Sequence, residues 1–194
     1  MENKTAIIIL AAGNSSRLGK PKQLLHYKGK TLLRHTADEA SSVTAKVIVV
    51  TGAEDSQITE QIAGFHHLPN EHWAEGMASS LKTGLHETLQ LFPEAEQFIF
   101  TVCDQPFISA AVFNALIEKK NTSPKGIIAS AYADTLGVPV LFSSSYVKEL
   151  FNLNGQEGAR KLIRQHKDDT DSIAFEAGSW DIDTCEDYKK LINS

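Results

Sequence analysis

The fold is decided by residues 6–22, which read AIIILAAGNSSRLGKPK. Ala6–Leu10 is a continuous apolar run, the pattern of a strand that helices cover on both faces. The run leads into a loop of small residues that contains Gly13, Arg17 and Lys22. Small residues let a backbone approach a ligand closely, and successive N–H groups next to cations suit phosphate groups. The stretch therefore predicts a buried first strand that ends in an anion-binding loop.

The spacing within this loop excludes two common phosphate-binding motifs. A P-loop has four residues between its glycines and then Lys-Ser/Thr, whereas five residues separate Gly13 from Gly19, and Pro21 follows Lys20. The dinucleotide pattern G-x-G-x-x-G is also absent. From the residues alone a second interpretation stays open, in which the loop is a surface turn with ordinary solvated cations.

Outward from this stretch, short apolar runs alternate with segments of helical period, which is typical of βαβ units and a largely parallel sheet. We expect one α/β domain over residues 1–194. The expected strands are Ala6–Leu10, Lys46–Thr51, His67–Pro69, Gln97–Val102, Ile127–Tyr132, Val138–Phe142, Ser172–Phe175 and Trp180–Ile182. The expected helices are Thr31–Ala40, Ser56–Ala63, Gly76–Leu91, one capped by Ser109, Ser144–Phe151, Glu157–Gln165 and Asp187–Ile192.

The composition is that of a globular protein without a preference for polyanions. Lys and Arg number 19 against 24 Asp and Glu, and hydrophobic residues make up 42% of the 194 residues. This balance argues against nucleic acid or an anionic membrane as the main partner. The apolar run Ala6–Ala12 is far shorter than the roughly 20 residues that a membrane span needs. Cys103 and Cys185 form neither a zinc spacing nor a disulfide framework, so we expect a reduced, cytoplasmic protein.

Three aspartates are candidates for the chemistry of the site. Asp104 ends an apolar run, and ligands of open α/β sheets collect outside the carboxyl ends of strands; it could equally be a turn residue. Asp181 and Asp183 stand two apart and could share one face of a strand. Thr184 with Asp187 resembles a capping box, so a purely structural role for Asp183 also stays open.

The loop pattern L-A-A-G-x-S-S-R-x-G-x-x-K resembles the signature of the molybdenum cofactor nucleotidyltransferases, within the wider superfamily of nucleoside-triphosphate transferases. The resemblance continues, in family order, at residues 73–81, 104–106, 137–142, 155–160 and 181–184. It implies a single three-layer, Rossmann-like nucleotidyltransferase domain with a mostly parallel central sheet. Relatives that use GTP usually carry Gly where this chain has Ala12, so the chain looks like the cytidylyl type.

The resemblance also implies roles for individual residues. Arg17, Lys22 and Asp104 would be catalytic, and Asp104 and Asp183 would bind Mg²⁺. The nucleotide-binding residues would be Leu10, Ala11, Ala12, Gly13, Ser16, Arg17, Lys22, Ser79 and Ser80, and the acceptor-binding residues would be Gly76, Gln105, Gly137, Pro139 and Arg160. Asp181 is interpreted as structural.

The implied reaction transfers CMP from CTP to molybdopterin or its molybdenum form, with release of pyrophosphate. The product would serve a molybdenum hydroxylase such as a xanthine dehydrogenase, which implies docking to that enzyme. The chain departs from the family pattern in the acceptor half: no cation flanks Gly137, Gln156 replaces a frequent Asp, and Cys185 stands where Pro is usual. Two alternatives therefore stay open: a sugar-phosphate or alditol-phosphate nucleotidyltransferase, and a non-catalytic cofactor carrier or chaperone.

Overall fold

The computed structural model describes residues 4–15, 18–52 and 55–193. Strands and helices alternate along most of the described chain. In chain order the elements are β1 Thr5–Leu10, β2 His26–Tyr27, β3 Lys30–Thr31, α1 Leu32–Ser41, β4 Val47–Thr51, α2 Asp55–Ile58, β5 His66–Pro69, α3 Met77–Leu91, β6 Gln97–Val102, α4 Ala110–Thr122, β7 Ile127–Tyr132, β8 Thr135–Ser143, α5 Val147–Phe151, α6 Ala159–Gln165, β9 Thr170–Ala174 and α7 Cys185–Ile192.

A mostly parallel sheet forms the centre of the described molecule. Its strand order is β5-β4-β1-β6-β8-β7-β9, and β2 pairs with β3 in a separate hairpin. Every neighbouring pair is parallel except the two that β8 makes with β6 and β7. The strand that precedes the loop, β1, lies between β4 and β6, so the loop leaves the sheet near its middle.

The sheet is the middle of three layers, because neighbouring residues of β1 are buried on opposite faces. Ile8 packs in one core with α3, α5 and α6, whereas Ile7 and Ile9 pack in a second core with α1 and α4. Helix α3 lies very close to the sheet at Gly84, where an added Cβ would come within 2.5 Å of the side chain of Ile8. This close packing holds the middle of α3 against strands β1 and β4.

The prediction of a strand at Trp180–Ile182 was wrong. The segment follows a 3₁₀ turn at Glu176–Ser179 and pairs with no strand. Its backbone is joined to the residues after β6 by one hydrogen bond, from Ile182 N to Asp104 O at 2.9 Å. Ile182 is fully buried in a small cluster with Leu18 and Leu191. That burial produces a strand-like alternation in the sequence without any sheet partner.

Other segments differ from the expectation in length. The expected helix at Ser56–Ala63 is a short α2 followed by a 3₁₀ turn at Thr59–Ile62. The turn between β7 and β8 is confined to Ala133 and Asp134, which both have positive φ, so β8 starts earlier than expected. The β2–β3 hairpin was not predicted, because two-residue strands carry no periodic signal.

No helix of the described residues combines the length and the apolar character that crossing a membrane requires.

Candidate active site

A cleft of about 590 Å³ opens at the carboxyl ends of the central strands. Its walls are formed by the end of β1 and the loop after it (residues 10–14, with Lys22 and Gln23), by residues 102–104 at the end of β6, by residues 73, 74, 76, 77 and 80, and by Gln156. This is where ligands collect in open α/β sheets, because loops from neighbouring parallel strands diverge there.

The loop after β1 is called the glycine loop (residues 11–15 and 18–22 of the described chain), and Gln23 holds its first residues in shape. The Gln23 side chain is 2% exposed, and its Nε2 donates hydrogen bonds to the carbonyl oxygens of Ala11 (2.7 Å) and Gly13 (2.8 Å). Ser15, whose φ is 51°, accepts a hydrogen bond from Lys22 N through its Oγ at 3.0 Å. Gln23 was not predicted as a site residue, since a glutamine in a loop carries no signal of its own.

Two residues assigned by the resemblance, Ser16 and Arg17, lie outside the described residues. The remaining residues expected at the nucleotide divide between two places. Leu10, Ala11, Ala12, Gly13, Lys22 and Ser80 line the cleft, whereas Ser79 lines a smaller adjacent hollow of about 300 Å³.

Lys22 bridges two of the candidate aspartates. Its Nζ lies 2.6 Å from Asp104 Oδ2 and 2.9 Å from Asp183 Oδ1. Burial by itself lowers the pKa of Lys22, but the attraction of Asp104 and the hydrogen bonds to both carboxylates outweigh that effect and hold the pKa above its ordinary value. The ammonium is therefore charged at neutral pH, and the two carboxylates lie close together because they share it.

The two carboxylates suit a divalent metal ion that prefers oxygen ligands, such as Mg²⁺. Asp104 and Asp183 supply oxygen donors, and Mg²⁺ commonly takes one or two carboxylates together with substrate phosphates and water. Within the described part of the chain, no group of three or more His, Cys, Asp or Glu side chains could hold a metal. The donor set thus suits an ion that shares its coordination with a phosphate ligand.

Asp181 differs from the other two aspartates. Although the residue is exposed, local desolvation, followed by repulsion from Asp104 and Asp183, raises the pKa of its carboxyl above the ordinary value. Arg160 and Gln105 act in the opposite direction. Asp181 therefore increases the negative potential around Asp104 and Asp183.

Asn70, a second residue that sequence reasoning missed, organises the start of α3. It is 3% exposed and follows β5 directly, where its own N–H donates to Thr51 O at 2.9 Å. Its Nδ2 donates to the hydroxyls of Ser79 and Ser80, each at 3.0 Å, and its Oδ1 accepts from His72 N at 3.0 Å. A polar residue at the carboxyl end of a strand was the available signal.

Gly76 forms a tight seam between two loops of the cleft. Its φ is 119°, and an added Cβ would lie 2.3 Å from the carbonyl oxygen of Gly155. Ala78 N donates to the same oxygen at 3.1 Å. Gln156, where relatives often carry Asp, is next in the chain and lines the cleft, so this departure from the family pattern faces the ligand space.

The other residues expected at the acceptor lie beyond the described cleft lining. An added Cβ at Gly137 would lie 2.2 Å from Tyr132 Oη and 3.2 Å from Arg160 Nε, and Arg160 Nη2 donates to Tyr132 Oη at 3.3 Å. Arg160 therefore brings to Gly137 the positive charge that the turn itself lacks. Pro139 follows a cis peptide bond, and its carbonyl oxygen accepts from Ser130 Oγ at 2.7 Å.

Gln105 is buried beneath residues 178–183. Its Nε2 donates to Gly178 O at 2.7 Å, and its Oε1 is buried without a hydrogen-bond partner among the described residues. The side chain thus fastens the segment that carries Asp181 and Asp183 to the end of β6.

A glycine loop and paired carboxylates at the carboxyl edge of a mostly parallel sheet define the class of nucleotide-binding α/β proteins. The crystal structure of Rv0371c from Mycobacterium tuberculosis H37Rv has the same fold, with a TM-score of 0.86 over 100% of both chains at 30% identity. Rv0371c in complex with manganese matches at a TM-score of 0.81 and 27% identity, over 99% of this chain and 100% of that one.

The sequence profile of the MobA-like NTP transferase domain matches residues 7–170, and the chain belongs to this family. The purine catabolism protein PucB of Bacillus subtilis (strain 168) is 28% identical over 93% of this chain and 92% of its own length. A probable molybdenum cofactor guanylyltransferase of Bacillus cereus (strain G9842) is 27% identical over 65% of this chain and 62% of its own. The expected family and fold class are thereby confirmed.

Proposed function

We propose that this chain, as a single domain over residues 1–194, is a Mg²⁺-dependent nucleotidyltransferase that transfers CMP from CTP to a molybdopterin-type acceptor. The observation that carries the proposal is the arrangement of Lys22, Asp104 and Asp183 at the mouth of the glycine loop. A similar protein is named a probable molybdenum cofactor guanylyltransferase, which supports the acceptor class. A carrier that only bound the acceptor would need no such charged group beside a phosphate-binding loop.

The preference for CTP rests on Ala12. The residue is 6% exposed and lines the cleft, and an added Cβ at the neighbouring Gly52 would lie 2.8 Å from its methyl group. The wall is therefore tightly packed there, and the methyl group takes space that a glycine would leave open. A pyrimidine base needs less room than a purine, which favours cytosine over guanine.

The chain's own residues position and neutralise the reactants. The acceptor's phosphate oxygen forms a bond to the α-phosphorus, and the bond to the departing pyrophosphate breaks. Lys22 and the N–H groups of the glycine loop stabilise the charge of that leaving group. Asp104 and Asp183 would hold Mg²⁺, which supplies Lewis-acid neutralisation of phosphate charge. Arg160, beside Gly137, offers a cation for an anionic part of the acceptor.

The proposal extends to the place and use of the product. Transfer would occur in the cytoplasm, as the two free cysteines of the chain favour. The product would pass to a molybdenum hydroxylase that docks on this protein.

The test measures pyrophosphate release from CTP and from GTP with Mg²⁺, and with either molybdopterin or a sugar phosphate as acceptor. We expect release with CTP and molybdopterin, and its loss in Asp104→Ala, because one of the two carboxylates is removed. Asp168→Ala is the matched control. This exposed aspartate lies in the turn before β9, which is an outermost strand of the sheet, and it is therefore at the amino end of that strand and far from the carboxyl ends that form the cleft.

Each other outcome contradicts a stated part of the proposal. A preference for GTP would contradict the role of Ala12, and release only with a sugar phosphate would contradict the acceptor. Tight pterin binding without release from any pair would show a carrier. Normal turnover in Asp104→Ala would remove Asp104 from the site.

A further inference from the structure

Lys22 lies on the two carboxylates, although its sequence context resembles that of a triphosphate-binding lysine. The ammonium contacts Asp104 Oδ2 at 2.6 Å and Asp183 Oδ1 at 2.9 Å, and all three side chains are partly buried, with exposed fractions of 18%, 21% and 35%. Such a pair of ion contacts is more than a surface salt bridge, because screening by solvent is reduced.

Two carboxylates attract any cation placed between them, and they hold one at a time. A divalent ion bound by the same two oxygens, at the roughly 2.1 Å typical of Mg²⁺ ligands, competes with the ammonium for the same space and the same negative charge. Two cations side by side would also repel each other strongly in a partly buried site.

We propose that Lys22 is an exchangeable stand-in for the metal: its ammonium bridges Asp104 and Asp183 until the divalent ion arrives, and it then leaves both carboxylates. This inference rests on the metal assignment in the proposed function. The bridge keeps the two aspartates close together without a metal, so the donor pair is already assembled when the ion arrives.

The exchange also explains how one lysine can have two roles. Lys22 is fixed at its backbone, where its N–H donates to Ser15 Oγ at 3.0 Å, and its side chain lines the cleft. An ammonium released from the carboxylates is therefore still inside the cleft, next to the glycine loop. It becomes available to the triphosphate only when the metal has taken its place.

The test compares Mn²⁺ binding, measured without nucleotide by the EPR signal of the free ion, in wild type, Lys22→Met and Lys20→Met. Lys22→Met keeps an unbranched side chain only one atom shorter and removes the competing charge, so we expect it to bind Mn²⁺ about tenfold more tightly or better. Lys20→Met removes the same charge from the same loop, but Lys20 is exposed, so solvent screens its charge, and its ammonium lies 5.1 Å from the centre of the Tyr188 ring. We expect its affinity to stay within about twofold of wild type.

A second measurement uses the wild-type protein alone. Crystals soaked in MnCl₂ should show the ion on Asp104 and Asp183, with Lys22 Nζ no longer within hydrogen-bonding distance of either. Manganese bound while both Lys22 contacts persist would overturn the exchange. So would equal or weaker Mn²⁺ binding by a folded Lys22→Met, and so would the absence of binding in all three proteins.

These results separate the exchange from the proposed function. Wild-type protein that releases pyrophosphate while Lys22→Met gains no metal affinity refutes the exchange alone. Protein that binds Mn²⁺ as expected but releases pyrophosphate from no substrate pair refutes the proposed function and leaves the exchange standing.

Discussion

Gln23 shows how a single buried amide can shape a binding loop without a catalytic role of its own. Its two hydrogen bonds to Ala11 O and Gly13 O replace the contacts that a regular strand or helix would provide. Loop positions such as Ala12 and Gly13 could be recognised in the sequence, because their small size has a local meaning. The role of Gln23 could not, because it depends on where the chain returns in space.

Gln23→Ala should therefore weaken nucleotide binding more than it affects the carboxylates. The buried carbonyl oxygen of Ala11 and the partly buried one of Gly13 lose their donor, which costs about 1–3 kcal/mol, and the glycine loop loses its fixed shape. We expect KM for the nucleotide to rise at least about tenfold. Gln165→Ala, at the exposed end of α6, is the matched control. Unchanged KM in a folded Gln23→Ala would show that the loop keeps its shape without this side chain.

Among the helices and strands, the sequence predicts best the strands that are buried on both faces. The bounds of β6 agree with the expected Gln97–Val102, because an apolar run in the middle of a sheet has only one way to be buried. The Trp180–Ile182 segment shows the opposite case, in which alternation came from one buried side chain. Ser109 lies at the cap of α4, but its side chain makes no capping bond, and Glu39 accepts from Ala110 N at 2.7 Å instead.

Helix α3 packs against the sheet at Gly84 with no room for a side chain. In Gly84→Ala the new Cβ meets Ile8 Cγ2 at 2.5 Å and Val50 Cγ2 at 2.7 Å. Overpacking costs about 1–3 kcal/mol, and the better helix propensity of alanine returns about 1 kcal/mol. We expect a net loss of roughly 1 kcal/mol in the free energy of unfolding by urea. Thr83→Ala, one residue earlier, should change stability little, and a stabilised Gly84→Ala would contradict the close packing.

For the whole molecule, Asp169 links stability to pH. Its Oδ2 accepts from Tyr146 Oη at 2.6 Å and its Oδ1 from Gly126 N at 3.0 Å, so it ties the start of β9 to the start of β7. These hydrogen bonds, that of Tyr146 first, lower the pKa of Asp169 against the opposing effect of partial burial. A lowered folded pKa stabilises the protein above the ordinary carboxyl pKa, and this contribution disappears as the pH falls through the lowered value.

Asp169→Asn should therefore be less stable than wild type at neutral pH, by about 1–2 kcal/mol, since hydrogen bonds to a charged group are lost. The difference should shrink on acidification and vanish once wild-type Asp169 is protonated. Urea unfolding of both proteins at several pH values measures it, with Asp168→Asn as the control. A difference that stays constant down to the lowest pH would contradict the assignment.

The seam between Gly76 and Gly155 has a consequence for engineering. Backbone atoms of the two loops lie so close together that a change in the conformation of one loop requires a change in the other. One loop leads to Ser80 on the expected nucleotide side, and the other carries Gln156. We therefore expect a chimera that imports only residues 152–158 from a relative to disturb the contact at Gly76, and we expect a chimera that imports residues 70–77 with them to fold better.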